Sequence, residues 1–288
     1  MAITVTSPAK TNLSLRVLGK REDGYHEIAT RMVPLSLADT LTIEPANGGG
    51  AVLTCSDASL PVGEENLVLK AVRALENRAG RTFDAKISLE KKIPHGAGLG
   101  GGSGNAAATL QGLNEAFDLN LSTGELIEIA AAIGSDVPFF IHGTVCDCTG
   151  RGEIVTPVPA FPWDLPLFMM KPAFGVPTPW AYQSWATSRE IPGVAYVPQI
   201  CPWGVMENGL ERPVFAKYLP LARMKMWLLD QREVHAAILS GSGSCLLAVL
   251  TRNDYGRLLE ERALSTFGPT TWTWVGHSVG TLRDKIQS

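Results

Sequence analysis

The 288-residue chain has no concentrated charge, no long apolar run and no paired cysteines. Its formal charge of −3 and pI of about 6.0 give no global cationic field for a nucleic acid or an acidic membrane, so an anionic ligand has to be met locally. No apolar stretch approaches the ~20 residues that span a bilayer. The opening MAITVTSPAK has neither the basic nor the apolar region of a signal peptide. These absences predict a cytoplasmic protein that takes neither a nucleic-acid nor a membrane partner, and they leave open a monomer or a homodimer. The five cysteines, at 55, 146, 148, 201 and 245, form no C-x-x-C pair, which argues against dithiol or zinc chemistry and leaves them as buried small hydrophobes. None of the five histidines lies in H-E-x-x-H, and no G-x-S-x-G elbow is present.

What the chain does have is 45% apolar residues, ample for one large domain or two moderate ones. Period-two runs at Ile3–Thr6, Leu13–Val17 and Leu41–Glu44 predict strands, followed by a helix from Asn66 to Ala79 with a glycine C-cap at Gly80. Ala106, Leu110, Leu113 and Phe117 recur at helical steps and predict one buried stripe. Ser122 and Glu125 have the spacing of a capping box, and Gly134 to Pro138 ends the helix they launch. A proline-dense stretch from Pro157 to Pro179 encloses a strand, Leu165 to Met170, and suggests domains 1–160 and 161–288. Beyond it the pattern predicts helices near Trp180–Ser188, Val214–Asp230 and Asp254–Leu264, with strands at Ala236–Leu239, Cys245–Leu250 and Thr270–Val275. Mixed this way, the elements indicate α+β.

The chemistry concentrates in IPHGAGLGGGSGNAA (residues 93–107), which puts six glycines into residues 96 to 104 and then turns alanine-rich. A P-loop needs a lysine before the hydroxyl residue, and here Gly102 precedes Ser103. A Rossmann fingerprint needs a strand directly ahead and a second strand ending in an acid, whereas Asp118 follows a helix. What remains is their shared physical core. Clustered glycines let backbone N–H groups converge on an anion, and the following helix adds its unsatisfied amides and positive dipole end.

The phrase Pro94-x-Gly-x-Gly-Leu-Gly-Gly-Gly-Ser resembles the phosphate loop of the GHMP small-molecule kinases. Pro8-Ala9-Lys10-Thr11-Asn12-Leu13 and Leu239-Ser240-Gly241-Ser242-Gly243-Ser244-Cys245 match two further motifs in the family's order. Gly19 to Ile28, Gly134 to Phe140 and Pro177-Thr178-Pro179 are similar to the branch that phosphorylates the 2-hydroxyl of 4-diphosphocytidyl-2-C-methyl-D-erythritol in the non-mevalonate isoprenoid pathway. The resemblance covers nearly the whole chain and is weakest between about 185 and 208. It implies a two-domain fold, with an N-terminal unit like domain 2 of ribosomal protein S5 and a ferredoxin-like C-terminal sandwich. The alternatives are another GHMP kinase, acting on homoserine, mevalonate or a sugar, and a catalytically silent sensor on the same fold.

The resemblance also implies roles. Asp136 is the family's catalytic carboxylate, although its surroundings alone favour an Asx turn or helix cap. Lys10, awkwardly placed on an apolar strand, is the implied ammonium beside it, with the surface lysine as the plain alternative. ATP would meet Asn66 and Lys91 near the nucleotide, and Pro94, Gly96, Gly98, Leu99, Gly100, Gly101, Gly102 and Ser103 around its phosphates. Mg²⁺ would come with the phosphates and water rather than sit in a protein cage. The acceptor would meet Asn12, Thr178, Gly241 and Gly243, with Tyr25, His26 and Tyr182 supplying stacking and edge contacts to a cytosine. In place of the second serine that usually follows Ser103 this chain has Gly104, which takes one hydroxyl from the phosphate shell. His95 and Ala97 stand where Met and Gly are usual.

Overall fold

The computed structural model describes residues 1–280. In chain order these form β1 (Ile3–Lys20), β2 (His26–Pro45), β3 (Ala51–Cys55), α1 (Leu67–Ala79), β4 (Ala85–Glu90) and α2 (Gly101–Ala116). There follow α3 (Thr123–Ile133), α4 (Val137–His142), β5 (Cys146–Thr149), β6 (Ile154–Pro157), β7 (Pro166–Lys171) and α5 (Thr178–Gln183). The chain continues through β8 (Gln199–Cys201), β9 (Gly204–Asn208), α6 (Glu211–Lys217), α7 (Leu219–Leu229), β10 (Val234–Leu239), β11 (Leu246–Leu250), α8 (Gly256–Phe267) and β12 (Trp272–His277). None of the described helices is long and apolar enough to cross a membrane.

The residues group into two compact units that do not follow a single cut near 160. One comprises Met1–Ala9, Leu37–Pro94 and Gly100–Thr144, and the other Lys10–Ser36, His95–Leu99 and Val145–Ser288. The interleaving has a simple origin: β1 and β2 run for 18 and 20 residues, and each contributes to both units. The sequence shows only short alternating runs there because residues 7–13 are all buried, including Ser7, Lys10, Thr11 and Asn12, so the polar-out signature of a half-exposed strand disappears.

In the first unit β4 pairs antiparallel with the second part of β2 and parallel with β3. Helix α2 is covered on nearly every side rather than along one stripe: Ala106, Ala107, Ala108, Thr109 and Leu110 are each at most 2% exposed. Small side chains allow this. A Cβ on Gly112 would come within 2.6 Å of Ile43, so the helix lies close on the sheet. The local signals hold: Gly80 ends α1 in a left-handed conformation, and Ser122 and Glu125 form the reciprocal box at α3, whereas Asn66, expected as the first residue of α1, caps it instead. Helix α3 stops at Ile133 as expected, and a short helix, α4, then starts around Pro138, because proline in a first turn loses no helical hydrogen bond.

The second unit contains the antiparallel sheet β10-β11-β7-β12. Phe168, Phe215, Leu221, Leu228, Leu246 and Leu259 form its core with α6, α7 and α8. The single helix expected over Val214–Asp230 is two, broken at Tyr218, with Pro220 in the first turn of the second. Four cysteines are buried and none of the five forms a disulfide. Burial pushes Cys146 and Cys245 up to about 12, which leaves them unreactive.

Candidate active site

In the first unit the strand leading to the glycine run is anchored by a buried carboxylate. Asp39, fully buried on β2, accepts from the Lys92 and Ile93 backbone N–H groups at 2.7 and 2.9 Å. Its other oxygen takes the Lys91 ammonium and the Asn105 amide, the latter at 2.9 Å, and Asn105 also donates to Ser7 at 2.9 Å. One acid thus ties the end of β4 to the second turn of α2. A buried charge is tolerable here because all its lone pairs are engaged. Lys91 is therefore a structural ion-pair partner in addition to its implied place near the nucleotide, and a side chain on Gly101 would stand 3.2 Å from its Nζ. Asn66 is likewise occupied: it accepts from Val68 N–H at 3.0 Å and donates to the Pro61 carbonyl at 2.7 Å. Helix α2 starts at Gly100 with no side-chain cap and no acid in its first turn, so the amides of Gly101, Gly102 and Ser103 end in a positive dipole.

Gly104 has a packing explanation. A Cβ there would meet the Pro8 carbonyl oxygen at 2.9 Å, Ser7 Oγ at 3.0 Å and Phe140 at 3.4 Å. The lost hydroxyl is the cost of drawing α2 against β1. Gly104→Ser is therefore expected to lower stability by about 1–3 kcal/mol, as thermal melts will show.

In the second unit, residues 95–99 alternate left-handed glycines, Gly96 and Gly98, with buried anchors, Ala97 and Leu99. The Leu99 carbonyl accepts from Lys10 N–H at 2.9 Å and the Ala97 carbonyl from Cys245 N–H at 3.2 Å. Gly98 presses against the turn after β10, where an added Cβ would lie 2.1 Å from the Ser240 carbonyl oxygen. Gly241 packs back on Gly98, and Ser242 shares a 2.8 Å hydrogen bond with Thr178. The sequence-predicted Gly98, Gly241, Gly243 and Thr178 are thus brought together in one cluster.

Lys10 is 4% exposed and donates from Nζ to Asn12 Oδ1 at 2.8 Å. Asn12 in turn donates to Thr30 at 2.7 Å, and Thr30 to the Ser14 carbonyl at 2.6 Å. The chain of bonds fixes the ammonium, so Asn12 aims Lys10. In the first unit, Asp136 occupies the N-cap position of α4, yet its side chain makes no capping hydrogen bond. The plain helix-cap reading therefore does not account for it. It is half-buried beside Val137, Phe139 and Phe140, all buried.

His26 and Tyr182, distant in sequence, meet with ring centroids 5.5 Å apart, and Trp185, not foreseen from the sequence, stands edge-on to His26 at 6.3 Å. Tyr25 takes another position: it is exposed, with the Arg151 guanidinium 4.8 Å over its ring. Burial, then the charge of Lys20, lowers the affinity of His26 for a proton, so the neutral ring, one nitrogen donating and one accepting, persists at pH 7. Leu15, Val17, Ile28 and Leu210 back Tyr182 and Trp185. Trp185 lies in the helix expected near Trp180–Ser188, and its spacing of three from Tyr182 was a usable signal.

Comparison with known proteins agrees with this geometry. The family model for the N-terminal domain of GHMP kinases matches residues 66–144. The 4-diphosphocytidyl-2-C-methyl-D-erythritol kinase of Methylacidiphilum infernorum is 37% identical over 279 residues, 92% of this chain and 93% of that one. A crystal structure of a 4-(cytidine 5'-diphospho)-2C-methyl-D-erythritol kinase is 33% identical with a TM-score of 0.79, covering 96% of this chain and all of that one. Homoserine kinase from Cytophaga hutchinsonii, 17% identical with a TM-score of 0.71 over 97% of this chain and 95% of its own, shares the fold alone. With that identity sustained along nearly its whole length, the chain belongs to the 4-diphosphocytidyl-2-C-methyl-D-erythritol kinase family of GHMP kinases.

Proposed function

We propose that the protein transfers the γ-phosphoryl group of ATP to the 2-hydroxyl of 4-diphosphocytidyl-2-C-methyl-D-erythritol. The observation that carries the choice of acceptor is the meeting of neutral His26 with Tyr182 and Trp185, since a cytosine offers a face to stack on and an edge that both gives and takes hydrogen bonds. Homoserine and mevalonate have no use for such rings.

The continuous segment Gly96–Ser103 supplies backbone amides to the phosphates, and its lack of side chains permits close approach. Phosphoryl transfer asks mainly for positioning and charge stabilisation. The acceptor oxygen attacks the γ-phosphorus as the bond to the β–γ bridging oxygen breaks, and the hydroxyl proton passes to Asp136. Lys10, aimed by Asn12, offsets negative charge on the attacking oxygen. Mg²⁺ bound with the triphosphate would offset its charge, held chiefly by phosphate oxygens and water. Five cysteines without a disulfide suit a reducing cytoplasm.

The test is ATP consumption by the purified protein with the cytidyl methylerythritol, homoserine and mevalonate offered separately. Turnover is expected with the first alone; turnover of another in its place removes the assignment.

A further inference from the structure

Strand β10 is an edge of the sheet β10-β11-β7-β12. One side of it pairs with β11, and the ladder continues into Ser240, whose N–H donates to the Cys245 carbonyl at 2.9 Å. Alternate residues therefore turn the backbone groups of Ala237, Leu239 and Gly241 outward, where an edge strand normally leaves them for water or another chain. Here side chains meet them. Gln199 donates to the Ala237 carbonyl at 2.9 Å and accepts from Ala237 N–H at 3.0 Å. Glu211 accepts from Leu239 N–H at 2.9 Å. Asn208 donates to the carbonyls of both Leu239 and Gly241 at 2.7 Å, while its own oxygen accepts from Leu210 N–H at 2.9 Å. The segment of weakest sequence pattern thus acts as a neighbouring strand built of side chains.

These grips differ in what they hold. Gln199 fixes the middle of β10. Asn208, 7% exposed, spans the point where β10 becomes the 240–244 turn, and its backbone is paired with Leu15 on β1. That turn meets Gly98 of the phosphate segment, Thr178 through Ser242, and Thr11 through a 3.0 Å contact between hydroxyls of Thr11 and Ser240. Its placement therefore sets three groups at once. We infer that Asn208 is a positioning residue for phosphoryl transfer, its carboxamide fixing where the 240–244 turn stands against Gly98 and Thr178, an inference that rests on the kinase reading above.

The experiment compares Asn208→Ala, Asn208→Asp and Gln199→Ala in the full chain, reading thermal midpoint, kcat, and KM for ATP and for the cytidyl acceptor. Asn208→Asp keeps the shape but sets a carboxylate oxygen against two carbonyl oxygens. Both Asn208 variants are expected to raise at least one KM by about tenfold or more, whereas Gln199→Ala lowers the thermal midpoint and leaves both KM values within about twofold. Partial unfolding would reduce kcat and leave KM alone, so the split separates positioning from bulk stability. Unchanged KM values in folded Asn208 variants, equal KM effects from Gln199→Ala, or failure of both Asn208 variants to fold would each overturn the inference. Wild-type protein is assayed first: absence of any turnover defeats the kinase reading and this inference with it, while wild-type turnover with unmoved variants defeats the inference alone.

Discussion

Asp136→Asn is expected to lower kcat by about 10²–10⁴-fold, the range for removing a positioned base, while the dissociation constant for ATP stays within about twofold. The carboxamide keeps the shape and hydrogen-bonding capacity of the side chain but cannot take the proton of the attacking hydroxyl. Because the Asp136 side chain does not cap α4, the substitution removes no helix-capping bond. Turnover measured by ATP consumption, with nucleotide binding measured by calorimetry, checks both halves. Near-normal kcat would remove Asp136 as the base and shift attention to Lys10 as a purely electrostatic catalyst.

Gly98→Ala is expected to cost about 10²-fold in kcat/KM for ATP, and far more than Gly96→Ala. Both glycines are left-handed, at φ +77° and +64°, so each substitution carries a backbone penalty of roughly 1–2 kcal/mol. What separates them is space. At Gly96 the nearest atom to a new Cβ is 3.9 Å away, whereas at Gly98 it is the Ser240 carbonyl oxygen at 2.1 Å, with Gly243 N at 3.2 Å. Backbone cannot rotate aside as a side chain can, so the 96–99 segment and the 240–244 turn have to part. Steady-state kinetics of the two variants side by side measure the difference. Equal loss in both would mean that glycine serves here only for its dihedral freedom.

Sequence and structure divide the explanation along physical lines. The caps at Gly80 and at Ser122 with Glu125 were legible because each is a bond between residues a few positions apart, governed by residue type and spacing. The glycine run, read as a proposed anion seat, was legible for the same reason: the demand for backbone freedom is local. Motif order then pointed to the kinase family, and the 37% identity with the Methylacidiphilum protein bears that out. Burial on both faces hid the lengths of β1 and β2, since a strand covered on both sides loses its alternation.

The sequence by itself determined that a glycine-rich segment feeds a helix, and it named the side chains proposed to carry the transfer. Only the tertiary structure decided what holds them. Asp39 reaches Lys91 across 52 positions, Asn208 reaches Gly241 across 33, and His26 finds Tyr182 and Trp185 on a distant helix and the turn after it. It also turned Gly104 from a missing ligand into a contact with Pro8 and Ser7. Such pairings depend on which strand lies beside which and on a close-packed interior with no room for one more atom, and neither is written in any local stretch of the chain.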